Sequence, residues 1–244
     1  MKNKIIFLWI VISNLLFAEP SAYQIIRQSE NQLRGNTAAA IIEVFVHKKR
    51  VQRKMKILFY EDRKKDSSFI KIQYPKKDAG IAFLRIGKNL WQYIPKLGKE
   101  LKLDASLMQN SWMGTDFTND DLVKESSWVK DYTHSFLEKS RDSYTILLKP
   151  KPTAAVLWKK VIMVIDKKTH LPKKQELYDN KNRLKKVLVF SEVKQMGGRL
   201  IPTKFRMATL KNGKEKSYTE MIYKKIIFNK PIPARVFTKT FLRR

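Results

Sequence analysis

The sequence predicts a mainly β fold with a few helices, an α+β chain whose antiparallel hairpins follow one another and curl into a barrel or a strongly bent sheet. Three observations carry that expectation. Short apolar runs alternate with polar residues, as Val51, Met55, Ile57 and Phe59 do with Lys54, Lys56 and Tyr60, and a period of two is the mark of a strand. Turn residues punctuate the runs at Gly87-Lys88-Asn89, Asp179-Asn180-Lys181-Asn182, Gly197-Gly198 and Asn212-Gly213. The chain has 244 residues, 43% of them hydrophobic and 11% aromatic, which is enough to bury a substantial core.

The first element is not part of that fold. Met1-Lys2-Asn3-Lys4 is basic, Ile5 to Phe17 is an apolar run broken only by Ser13 and Asn14, and Ala18 precedes the polar Glu19-Pro20-Ser21. This is the order of a secretory leader, and the run falls short of the ~20 residues of a comfortable transmembrane helix. The expected division is a leader at 1–18, cleaved after Ala18, and one domain at 19–244. An uncleaved anchor is the alternative, because Leu16 stands where a smaller residue is preferred. The expected destination is the periplasm. Absence of cysteine excludes disulfides, thiolate metal sites, cysteine nucleophiles and a lipid-modified N-terminal cysteine.

A helix follows from Ser21 to Arg34, with Ala22, Ile25, Ile26, Ser29 and Leu33 on one side and Gly35 as the expected C-terminal cap. Strands are expected at 39–46, 51–60, 69–74, 80–86, 90–94 and 100–103, then at 132–137, 144–148, 160–165, 175–178, 186–190, 203–210 and 218–228. Between the two sets lies a helical middle stretch from Ala105 to about Glu125. A short turn near Pro152–Leu157 and a tail segment at Pro233–Phe237 complete the non-strand elements. Some strands are apolar on both faces, as Ile41 to Val46 and Val161 to Ile165 show, so helices must cover part of the second face. Such a covered, curved sheet can enclose an apolar cavity.

Lysine and arginine number 51 against 22 acids, for a formal charge of +29, and only two of those charges, Lys2 and Lys4, leave with the leader. The basic residues do not form one arm or helix. They recur in pairs and triplets, among them Lys48-Lys49-Arg50, Arg63-Lys64-Lys65, Lys76-Lys77, Lys167-Lys168, Lys185-Lys186 and Lys224-Lys225, mostly between apolar runs. Export and this scatter argue against nucleic acid as the partner. Two readings stand: solvated turn and edge lysines that prevent strands pairing between molecules, or a positive rim facing anionic lipid headgroups.

The middle stretch reads Ser111-Trp112-Met113-Gly114-Thr115-Asp116-Phe117-Thr118-Asn119-Asp120-Asp121-Leu122. Thr118 and Asp121 have capping-box spacing, Phe117 and Leu122 occupy the staple positions, and Asp120 and Asp121 suit the positive end of a helix. A calcium or magnesium cluster at Asp116, Asp120 and Asp121 lacks the loop glycine and the bidentate glutamate, so no metal is expected. Gly114 suits a positive φ or a close backbone approach.

With the upstream Leu90-Trp91-Gln92-Tyr93-Ile94-Pro95, this stretch resembles the outer-membrane lipoprotein-sorting family of exported LolA-like proteins, in which a W-x-Y-x-P strand precedes a segment like SWMGTDFTNDDL. The resemblance spans Leu90 to Val123. It implies an incomplete, strongly curved antiparallel β-barrel, LolA/LolB-like, whose helices cover a concave apolar cavity. It also implies a carrier of acyl chains, not an enzyme, moving lipoproteins or lipids between inner and outer membrane. Inner-membrane export machinery, an outer-membrane acceptor and transient anionic membrane surfaces are the partners it implies.

Residue chemistry points the same way. Trp91, Tyr93, Trp112, Met113, Phe117 and Leu122 suit a lipid-binding lining, since aromatic and methionine side chains adapt to irregular apolar surfaces. Plain core packing is the competing role for each. His47, His134 and His170 lie far apart with no paired-ligand spacing, and no nucleophile elbow, Walker loop or dinucleotide fingerprint occurs, so neither cofactor nor catalysis is expected. The alternative function is a non-catalytic envelope sensor or binding module that recognises lipids, anionic glycans or a membrane protein.

Overall fold

The computed structural model describes residues 19–123, 127–154 and 156–244, and the expected leader at 1–18 lies outside the described residues. Among the described residues, thirteen strands form one antiparallel sheet. The first six are β1 (Thr37–Lys48), β2 (Val51–Asp62), β3 (Ser67–Tyr74), β4 (Ala82–Ile86), β5 (Asn89–Ile94) and β6 (Lys99–Lys102). The other seven are β7 (Tyr132–Lys139), β8 (Ser143–Pro150), β9 (Lys160–Asp166), β10 (Pro172–Tyr178), β11 (Leu184–Met196), β12 (Arg199–Lys211) and β13 (Lys214–Phe228).

Their spatial order is β6-β5-β4-β3-β2-β1-β13-β12-β11-β10-β9-β8-β7. Two meanders therefore join where β1 pairs with β13, and the edges β6 and β7 are not paired with each other. The sheet is an open, curved barrel, as the alternation and turns predicted. The hairpin chemistry is local: Asn212 and Gly213 both take positive φ (53° and 73°), as do Gly197 and Gly198, which is what a two-residue turn matched to strand twist demands. The short edge strand β6 carries exposed Lys99 and Lys102, which discourage pairing with another chain.

Helix α1 (Ala22–Leu33) starts at Ser21, whose hydroxyl accepts from Gln24 N at 3.2 Å while Gln24 Oε1 accepts from Ser21 N at 2.7 Å. It buries Ala22, Ile25, Ile26 and Ser29, the face expected from the spacing. Burying an isoleucine such as Ile25 or Ile26 stabilises by about 1.5–3 kcal/mol. The expected glycine cap is not used: the cap residue is Arg34, with extended backbone (φ −122°, ψ 138°). Gly35 is needed for space, since a Cβ there would lie 2.8 Å from both Thr37 O and Asn229 Oδ1.

The step from β6 to β7, residues 103–131, runs from one sheet edge to the other. The expected continuous helical stretch there is broken into 3₁₀ turns at Ala105–Leu107 and Trp112–Gly114, followed by α2 (Asn119–Val123) and α3 (Ser127–Lys130). Met113 and Gly114 have left-handed backbone (φ 48° and 75°), and Asp, Asn, Ser and Thr side chains compete for the backbone groups a helix would use.

Two apolar clusters lie on the inner face, one under the Trp112 region against β1–β5, the other under α1 against β7–β12. A third lies on the outer face. There a 3₁₀ turn at Ala234–Phe237 and α4 (Lys239–Leu242) bury Val236, Phe237 and Leu242 against Phe69, Ala82 and Leu84.

Candidate functional site

The inner face is closed over one half of the sheet and hollow over the other. Beneath α1, α2, α3 and the Val156-Leu157-Trp158 loop lies a cavity of about 300 Å³. Its floor is the inward phase of the later strands: Met163 of β9, Gln175 and Leu177 of β10, Leu188 and Phe190 of β11, Phe205 and Met207 of β12, and Met221 and Tyr223 of β13. Ile26, Ser29, Glu30 and Leu33 of α1 form one wall, and Phe117, Leu122 and Trp128 form another. Ala38, Phe59 and Glu61 bring β1 and β2 to its boundary.

The segment that roofs the cavity is fastened by an inward-turned acid. Asp116 is 5% exposed; its Oδ1 accepts from Thr209 Oγ1 (2.6 Å) and from Ser217 Oγ, and its Oδ2 from Thr219 Oγ1 (2.8 Å). Asp116 N in turn donates to Thr219 Oγ1 at 2.9 Å. Three hydroxyls on β12 and β13 thus satisfy a buried carboxylate, as a low-dielectric site requires. The expected capping box forms: Asp121 N donates to Thr118 Oγ1 (3.1 Å) and Thr118 N to Asp121 Oδ2 (2.7 Å).

Lys186 departs from the expected solvated lysine pair. It is 9% exposed, donates to Asp116 O at 2.5 Å, stands 3.8 Å from Asp121 Oδ2 and lies over the Trp158 ring. Burial lowers its ammonium below the ordinary lysine value, and the charges of Asp121 and Asp116 pull the other way. Another charged cluster borders the cavity by the end of α1. Arg63 Nη2 binds Glu30 Oε1 at 3.0 Å, and Arg34 pairs with both Glu30 and Glu61. Burial raises the Glu30 carboxyl above its ordinary value despite Arg34 and Arg63. Arg199 Nη1 donates at 2.9 Å to Asn31 O and Arg34 O, satisfying carbonyls at the helix end.

Of the six residues expected to line a lipid site, Phe117 and Leu122 line the cavity. Trp112 and Met113 are on the same face but in the closed half. Trp112 is fully buried edge-on to Phe83 at 5.8 Å, and Met113 packs on the same cluster while its carbonyl accepts from Arg53 Nη1 at 3.0 Å. Trp91 and Tyr93 face the opposite way, toward the C-terminal segment, with Lys239 over the Trp91 ring. Their strand alternates as expected; Leu90 takes the inner face and its two aromatic neighbours in phase take the outer one. The other lining residues went unsingled because they sit on the same alternating strands as ordinary core. Trp158 carried a signal: it follows the expected 152–157 turn, and its carbonyl accepts from the buried Tyr132 hydroxyl at 3.0 Å.

Among known proteins, a family model described as "uncharacterized protein" matches residues 64–244. No curated protein matches the chain. A solved DUF1329 family protein from Desulfovibrio piger is similar in fold with a TM-score of 0.80 at 19% identity, covering 91% of this chain and 97% of that one. An outer membrane lipoprotein-sorting protein domain, so described, from Vibrio parahaemolyticus has a TM-score of 0.78 at 21% identity, covering 91% and 98%. A LolA superfamily protein from Nitrosomonas europaea has a TM-score of 0.75 at 19% identity, covering 91% and 99%. At these identities the likeness is one of fold.

Proposed function

The chain belongs to the family whose model spans residues 64–244 and has the fold seen in LolA-superfamily proteins, and from that premise we propose that it is a periplasmic carrier that shelters acyl chains of lipoproteins or lipids in its inner cavity. The observation that carries the reading is the hollow of about 300 Å³ walled by apolar and aromatic side chains. An apolar cavity of ~150 Å³ holds one benzene, so twice that volume suits an acyl segment of about a dozen carbons. Affinity would come from burying methylenes at ~0.8 kcal/mol each, offset by the ordering costs of association.

Transfer between membranes requires release, which a roof held to the sheet by the Asp116 hydroxyl cluster and by polar contacts at its margin can provide by swinging between two states. The lysines at Lys48-Lys49 and Lys76-Lys77, in turns at the same end of the sheet, suit transient docking on anionic membranes, with an export machinery and an outer-membrane acceptor as donor and recipient. The role is non-catalytic in this reading.

Native mass spectrometry and lipid extraction of the protein purified from the cell envelope test it. Acyl lipid in near-stoichiometric amount is expected, and Phe117→Lys should reduce it several-fold. Protein free of lipid that also fails to move lipid between vesicles overturns the carrier reading. Salt-sensitive vesicle binding without a bound chain would instead support the sensor or binding module.

A further inference from the structure

We propose that the side-chain amide of Gln175 reads a carbonyl on the bound chain, so that the cavity takes an ester- or amide-bearing acyl ligand in preference to bare hydrocarbon. The inference rests on the carrier reading and names its ligand class. Gln175 lines the cavity and is 6% exposed. It sits at the inward phase of β10, opposite Met163 on β9 and Leu188 on β11. Leucine or methionine would complete that apolar floor without burying a polar group.

An amide has two N–H donors and a carbonyl with two lone pairs. Among the described residues, the side chain's one hydrogen bond is from Nε2 to Met163 Sδ at 4.0 Å, the far limit of a contact to a weak acceptor. Several other polar groups at the cavity have partners: the Tyr132 hydroxyl donates to Trp158 O, Asp121 caps its helix, and Glu30 pairs with its arginines. A buried polar group without a proper partner is costly, and one that faces a binding cavity is satisfied when the ligand supplies the partner. The ligand chemistry that fits is an acceptor oxygen for Nε2, within an otherwise apolar chain. A site built to hydrogen-bond a ligand rejects the analogue that lacks the group more strongly than an apolar pocket rejects a change in chain length.

The test compares methyl laurate with tetradecane, probes of matched length, by the change in tryptophan emission in the full mature chain. Gln175→Met should weaken methyl laurate binding about tenfold and change tetradecane binding less than twofold. Gln175→Leu should reproduce the pattern, which guards against a fault peculiar to one variant. If the wild-type protein binds the probes and both variants lose no more affinity for the ester than for the alkane, the role of Gln175 is overturned while the carrier reading stands. If the wild-type protein binds neither probe, the carrier reading fails and takes this inference with it.

Discussion

The two halves of the inner face are built from the same kind of strand and end differently. Over β1–β5 the chain inserts its own Trp112, fully buried against Phe83 in one cluster with Val44, Met55 and Ile72. Over β9–β13 the covering elements bridge the sheet without filling the space beneath them, and the cavity remains. A cavity here is the region where no plug descends, under a roof fixed by polar contacts at its margin. The closed half should therefore behave as an ordinary core and the hollow half as a tolerant one.

Trp112→Ala puts the largest strain on that contrast. Removing the plug from a site with no slack should cost about 3–5 kcal/mol, read as a lowered urea midpoint with unchanged slope. Trp128→Ala, on the cavity wall and partly buried, should cost less than about 2 kcal/mol. Equal losses would mean that the halves are not packed differently.

Asp116 links the halves, because the loop that starts with the plug ends on the hydroxyls of Thr209, Ser217 and Thr219. Asp116→Ala should cost about 2–3 kcal/mol, in line with loss of charge-assisted hydrogen bonds in a buried site. Amide exchange across 112–121 should quicken more than exchange in β1. If exchange there is unchanged, the roof is held by something other than this carboxylate.

Overpacking sharpens the comparison further. Val44→Phe on the floor of the closed half should destabilise by about 1–3 kcal/mol, whereas Leu188→Phe, facing the cavity, should stay within about 0.5 kcal/mol. The second variant should also carry less lipid, since its added ring occupies the ligand's volume. Destabilisation of similar size in both would show that the cavity is not available space.

Much of this fold was legible in the sequence for physical reasons. Alternation assigns a face to each residue, as at Leu90 and Trp91, and two-residue turn chemistry, as at Asn212-Gly213, sets the hairpins. The helix face of Ala22, Ile25, Ile26 and Ser29 followed from the 3.6-residue period. What alternation does not encode is curvature or what lies opposite a face. Trp91, Tyr93 and Trp112 are the large apolar residues of the most distinctive segment, yet one plugs the closed half and two serve the outer face, because the C-terminal segment and the loop that meet them are distant in sequence. Lys186 illustrates the same limit: its charged neighbours Asp116 and Asp121 lie some 65 to 70 positions away, and only the folded chain brings an ammonium to them (~65–70 positions, a separation that periodicity does not span).

The smallest effect concerns acid, and it separates the halves by pH. His134 on β7 lies under α1 and α3, its ring edge-on to Tyr23 at 5.6 Å and its Nε2 2.8 Å from Trp128 O, so the neutral ring donates from Nε2. Burial holds its pKa below the ordinary histidine value, against the Trp128 carbonyl, and the charge of Lys151 adds to the lowering. The unfolded chain then binds a proton at higher pH than the folded one. The stability this residue contributes is present above about pH 6.5 and is lost as pH falls through the folded value. Between pH 7.5 and pH 5.5 the wild-type protein should lose more stability than His134→Gln, which has an uncharged donor for the same carbonyl. The loss should appear as faster amide exchange in α3 and the start of β7, with β2 and β3 unaffected. Equal acid sensitivity of wild type and variant would remove His134 as its source, and exchange that quickened equally under Trp112 would place the acid-sensitive element outside the roof of the cavity.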